Sequence, residues 1–133
     1  VRCLSSDLRG RLPAWLEATV QALCGSFGAP ALVRYRCIAP PVRNDPALTA
    51  LLERSAVDQL GAENVQRLDQ PSLGAEDFAE LLQDVPGSMF RLGVAGPNGR
   101  AALHTGHFNP EEESLGVGVQ VLTAAMLAWT PTP

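Results

Sequence analysis

The sequence predicts a mixed chain in two parts: a small α+β piece over residues 1–39 and an α/β piece over residues 40–133. Three observations carry this. Patterned segments run strand, helix, strand before a proline pair, and helix, helix, strand, helix after it. The stretch "APPVRNDP", residues 39–46, places two adjacent prolines where neither a helix interior nor a sheet centre accepts them, so it reads as a linker. Of 133 residues, 46% are apolar and 18% charged, a balance that buries a core and does not stay disordered. That length suits one domain, or parts of two.

Val1-Arg2-Cys3-Leu4 alternates from the first position, as a strand does. Leu12, Trp15, Leu16, Thr19, Val20, Leu23 and Phe27 then fall at helical spacing, with Pro13 suited to a first turn and Gly25 and Gly28 as stops. From Ala31 to Ile38 the side chains alternate, with Val33, Tyr35 and Cys37 on one face and Arg34 and Arg36 on the other. After the linker, Asp45 caps and Pro46 opens a helix presenting Leu48, Leu51, Leu52 and Leu60, which Gly61 stops. Residues 62–73 are polar and irregular. "GAEDFAELLQDVPG", residues 74–87, reads as a third helix, with Glu76 and Asp77 in its first turn where the helix dipole favours anions. "SMFRLGVAG" is a short apolar strand, and Pro97-Asn98-Gly99 a turn. Asn109 and Pro110 then open a last helix on Glu111-Glu112-Glu113.

The totals exclude several function classes. Net charge is −4, and the ten basic residues, all arginine, form no stripe, so nucleic acid is not an expected partner. No run of about 18 apolar residues is present to span a bilayer; Leu115–Trp129 comes nearest, diluted by Gly116, Gly118 and Thr123. Cys3, Cys24 and Cys37 are odd in number and lack metal-site spacing, so three reduced thiols in a cytoplasmic protein are expected.

Both histidines sit in "GRAALHTGHFNP", residues 99–110. His104 lies in a loop after a strand. Its residue pattern admits a metal or catalytic role, but an exposed or hydrogen-bonded structural histidine is the commoner case. His107 follows too few ligands for a zinc site, and Thr105-Gly106 argues against a helical HxxH pair. Glu76-Asp77 could work as an acid/base pair, although carboxylates in a first turn are ordinary capping groups, as are Glu111 to Glu113. Gly93, Gly96 and Gly99 do not have phosphate-loop spacing, and no serine sits in a nucleophile elbow. No catalytic base is assigned.

"PPVRNDPAL", "GAEDFAELLQDVPGSMFRLGV" and "ALHTGHFNPEEESLGVG", in that order, resemble the C-terminal part of the metal-dependent amidohydrolases. That group holds hippurate hydrolase and the indole-acetyl-amino-acid hydrolases. It falls within the co-catalytic metallopeptidases with aminoacylase and carboxypeptidase G. The resemblance implies the end of a ferredoxin-like lid or dimerisation domain over 1–39, followed by the C-terminal portion of a three-layer zinc-peptidase-like catalytic domain over 40–133. It implies two divalent metals per complete site, zinc first, with manganese, cobalt or nickel as the other candidates. It makes His104 the last metal ligand. It places Gly74, Glu76 and Asp77 beside the active-site cleft on the substrate side, with Asp77 also a helix cap, and leaves His107 near the site or on the surface. Asn44 matches the asparagine at which the chain returns to the catalytic domain.

The family's Cys-Gly-His, its paired glutamates and a further histidine precede the region matched here. One of those glutamates is the general base that activates a metal-bound water. The resemblance therefore implies roughly the C-terminal third of an enzyme hydrolysing the amide bond of N-acyl amino acids or dipeptide-like small molecules. The third alone would be inactive, and its uncovered apolar surface would favour a homo-oligomer. The competing expectation is a small stand-alone binding or regulatory module with a structural histidine loop.

Overall fold

The computed structural model describes residues 1–96 and 101–130; the expected turn at Pro97-Asn98-Gly99 lies outside them. Among the described residues there are four helices, α1 (Ser6–Gly25), α2 (Pro46–Leu60), the single-turn α3 (Phe78–Leu81) and α4 (Glu113–Ala128), with a 3-10 turn at Ala62–Asn64. The chain divides into two compact units, Val1–Arg43 with Gln70–Val85, and Asn44–Asp69 with Pro86–Pro133. This is not a single cut in the linker, because residues 70–85 return to the first unit. Within that unit the Arg2 guanidinium donates to the Leu73 carbonyl.

In the first unit α1 begins well before Pro13. Ser5 caps it, its hydroxyl accepting from the Leu8 amide at 3.2 Å, and Asp7 sits in the first turn. Pro13 is thus inside the helix, where the Arg9 carbonyl has no amide to receive. Leu8, Leu12, Leu16, Val20 and Cys24, each four residues on, are the partly covered face. The helix ends on Gly28 at φ +67°, with the Ala29 amide bonded back to the Cys24 carbonyl. Over residues 31–36 burial alternates as the sequence predicts, with Val33 and Tyr35 half-covered and Arg34 and Arg36 exposed. Cys37 departs from the pattern and is exposed. Partial burial, followed by the neighbouring Cys37 and Cys3 thiols, pushes the Tyr35 phenol above its usual range.

In the second unit α2 has the predicted boundaries. The Asp45 carboxylate accepts from the Leu48 amide at 2.9 Å, Pro46 fills the first turn, and Gly61 stops the helix at φ +85°. α2 packs on α4 through small residues, since Ser55, Ser114, Val121 and Ala125 are the buried positions of the pair. The Gln120 side chain donates to that of Gln59 at 3.0 Å, and Arg67 grips Glu53 with two bonds of 2.7 Å. That grip holds the Glu53 carboxyl below the ordinary carboxylate range.

No strand ladder occurs among the described residues; Gly96 makes one isolated bridge. The three expected strands, at residues 1–4, 31–38 and 88–96, are not formed as strands among the described residues. In the third of them burial again alternates, with Leu92, Val94 and Gly96 half-buried and Arg91, Gly93 and Ala95 exposed. A strand needs a neighbour to accept its amides, and the described residues supply none here. The expected helix over 74–87 shrinks to α3. The last helix starts at Glu113, not at Pro110; before it the Ser114 and Leu115 amides bond the Glu111 and Glu112 carbonyls in tighter turns, and the Glu111 amide bonds the Val94 carbonyl at 3.0 Å.

Candidate functional site

The histidine loop is held at its base. The Glu111 amide bonds the Val94 carbonyl, and the Glu111 carboxyl lies so close over Gly96 that any Cβ there would overlap it. The two ends of the segment carrying His104 and His107 are thereby fixed to each other ahead of α4. Inside the loop Thr105 Oγ1 donates to the Ala102 carbonyl at 2.9 Å, and the Phe108 amide to the Thr105 carbonyl at 3.1 Å.

His104 is the one described non-glycine residue with positive φ, at 63°. The left-handed conformation costs a side-chain-bearing residue on the order of 1 kcal/mol and is found where a turn or a site demands it. It makes a tight turn around Thr105 and leaves the imidazole exposed; His107 is exposed as well. Sequence reasoning had no signal for this strain, since glycine is the usual marker of such a position and Gly106 stands two residues further on.

Gly74, Glu76 and Asp77 belong to the first unit and the two histidines to the second. The Gly74 amide donates to the Ser72 hydroxyl at 3.0 Å. Asp77 occupies the cap position of α3 but makes no capping bond; the Phe78 amide instead reaches the Glu76 carboxylate, at 3.4 Å. The capping role expected of Asp77 thus passes, weakly, to half-buried Glu76. Asn44 is more firmly placed. Its side-chain amide donates to the Met89 carbonyl at 2.8 Å and accepts from the Met89 amide at 3.0 Å, the pairing a neighbouring strand would offer. This clamp fixes the start of the segment leading to the histidine loop.

A hydrolytic metal centre needs at least three protein donors around one ion. Among the described residues no three His, Cys, Asp or Glu side chains converge. His104 offers one imidazole, so these residues do not make a metal site by themselves. An open concavity of about 630 Å³ lies between α2 and α4 beside Asp58 and Gln120 and contains none of the candidate residues.

A family model described as peptidase family M20/M25/M40 matches residues 17–128. The probable hydrolase sll0100 of Synechocystis sp. is 39% identical over 97% of this chain and 33% of its own length. The N-acetyldiaminopimelate deacetylase of Anoxybacillus flavithermus is 31% identical over 92% of the chain and 31% of its own. The Bacillus subtilis protein YhaA, named as an amidohydrolase, is 31% identical over 96% of the chain and 33% of its own. The chain thus spans about a third of the length of these relatives. No solved structure matches it.

Proposed function

The chain belongs to peptidase family M20/M25/M40, and on that footing we propose that it is the part of a metal-dependent amidohydrolase that carries one metal-ligating histidine, His104. The whole enzyme cleaves the amide bond of a small N-acyl amino acid or dipeptide-like molecule. The observation carrying this reading is the match, along nearly all of this chain, to relatives named hydrolase, deacetylase and amidohydrolase. The strained backbone of His104 supports its role, because a left-handed histidine in a loop tied at its base costs stability that a site can use.

Gly74, Glu76 and Asp77 serve the substrate side, and His107 lies near the metal without holding it. The metal is zinc, with manganese, cobalt or nickel as alternatives. Since the described residues do not surround an ion, the other ligands and the general base come from residues beyond these. The architecture we propose is a three-layer α/β catalytic part over 40–133 and the end of a ferredoxin-like lid over 1–39. The alternating burial at Val33 and Tyr35, and at Leu92 and Val94, supports it, being the pattern strands show within a sheet. A homo-oligomer in the cytoplasm completes the proposal.

A chimera tests the reading. This chain replaces the matching third of the Synechocystis relative, and the product is assayed on a panel of N-acyl amino acids. The chimera should hydrolyse at least one of them. His104→Ala should lower kcat by about 100-fold or more, while His107→Ala stays within about 10-fold. Equal activity with and without the His104 imidazole would remove it from the ligand set.

A further inference from the structure

The turn that carries His104 is organised around its neighbour. From outside, the Glu111 amide closes the loop on the Val94 carbonyl at 3.0 Å. Inside the loop, among the described residues, both hydrogen bonds run through Thr105. Its Oγ1 donates to the Ala102 carbonyl at 2.9 Å, and its own carbonyl accepts from the Phe108 amide at 3.1 Å. The first of these bonds spans Leu103 and His104. It therefore brackets the one described non-glycine residue with positive φ, His104 at 63°.

That conformation needs a local cause. A left-handed backbone is unfavourable for any residue with a Cβ, by roughly what one net hydrogen bond returns. Residues 101–108 are all exposed, so burial does not fix the turn. A threonine hydroxyl is well suited to the task. It reaches nearby backbone carbonyls and so competes with regular structure, and its branched Cβ leaves few rotamers to freeze.

We propose that Thr105 is a positioning residue for His104: its hydroxyl, bonded back to the Ala102 carbonyl, locks the histidine in the left-handed turn from which it serves as a metal ligand. This rests on the functional reading above and adds the residue through which that ligand is held. Without the hydroxyl the turn relaxes toward ordinary right-handed backbone. The apparent metal affinity then falls with the fraction of molecules that keep the left-handed form.

Two variants separate the hydroxyl from the shape of the side chain. Thr105→Val keeps the branched shape and loses the donor; Thr105→Ser keeps the donor and loses the branch. On the 133-residue chain each is combined with His104→Gly and with His104→Ala, and the unfolding midpoints are compared. With Thr105 intact, or as Thr105→Ser, the glycine variant should melt above the alanine variant by about 2–5 °C. In the Thr105→Val background alanine should draw level with glycine or pass it. In the chimera with the Synechocystis relative, zinc retention against a chelator should weaken about 10-fold in Thr105→Val and no more than about 3-fold in Thr105→Ser. Glycine still above alanine in the Thr105→Val background, zinc held as tightly without the hydroxyl, or Thr105→Ser behaving as Thr105→Val would each overturn the proposal. His104→Ala in the same chimera keeps the two readings apart. Zinc that depends on His104 but ignores Thr105→Val removes the positioning role alone. Zinc indifferent to His104→Ala removes the functional reading, and the ligand role of this turn with it, whatever the midpoints show.

Discussion

The left-handed backbone at His104 makes a prediction whose sign is unusual. At an ordinary exposed position, replacing a residue by glycine costs about 0.5–1 kcal/mol relative to alanine, because glycine gives up more chain entropy on folding. At φ 63° the order should invert. Alanine keeps a Cβ that crowds the following carbonyl, a penalty of about 1–2 kcal/mol that glycine escapes. Set against glycine's entropic handicap, His104→Gly should be more stable than His104→Ala by about 0.5–1 kcal/mol. In a chain of this size that is about 2–5 °C in Tm. The assay is thermal and urea unfolding of the two variants side by side, followed by circular dichroism. Both lack the imidazole, so loss of the side chain's own contacts cancels. Alanine equal to or above glycine would mean that the folded chain does not hold this residue left-handed, and the strain supporting a site at His104 would vanish with it.

Three further outcomes follow from the geometry. Asn44→Ala removes both bonds to the Met89 backbone and should cost about 1–2 kcal/mol, with the Met89 amide losing its protection from hydrogen exchange; an unchanged Met89 amide would rule out the clamp. Val121 is 2% exposed, and Val121→Ala should cost about 2 kcal/mol in urea unfolding, against almost nothing for Val119→Ala at an exposed position of the same helix. Glu53 is held low by Arg67, so its contribution is present above the unfolded carboxylate value and is lost as pH falls through the folded one. An NMR titration should therefore place its midpoint below the ordinary carboxylate range and return it to that range in Arg67→Gln.

Much of the fold could be read from local chemistry, and the failures have local causes. α2 was legible because cap, first-turn proline and terminal glycine all agree. The start of α1 was misplaced because Pro13 imitates a first turn, whereas Ser5 and Asp7 are the working signals. α3 fell short because a short helix lives on tertiary packing, and it buries only Ala79. α4 starts three residues later than Asn109-Pro110 suggest, after tighter turns at Glu111 and Glu112 that the local pattern does not mark. Alternation is matched by burial over residues 31–36 and 91–96, but the expected strands do not form among the described residues, because ladders depend on partners that alternation cannot supply. In the candidate site, His104 was reached through resemblance to a family, and nothing in its neighbours announced its left-handed turn.

The central claim is that this chain holds one ligand of a metal centre that other residues complete. Metal content after exposure to zinc and dialysis tests it most directly, on the chain alone, on its His104→Ala variant and on the chimera with the Synechocystis relative. The account predicts far less than one equivalent on the chain alone, with or without His104. The chimera should hold about two zinc ions and lose about one with the imidazole. A full equivalent on the chain alone that vanishes in His104→Ala would contradict the account, because His104 would then have its partners within these 133 residues.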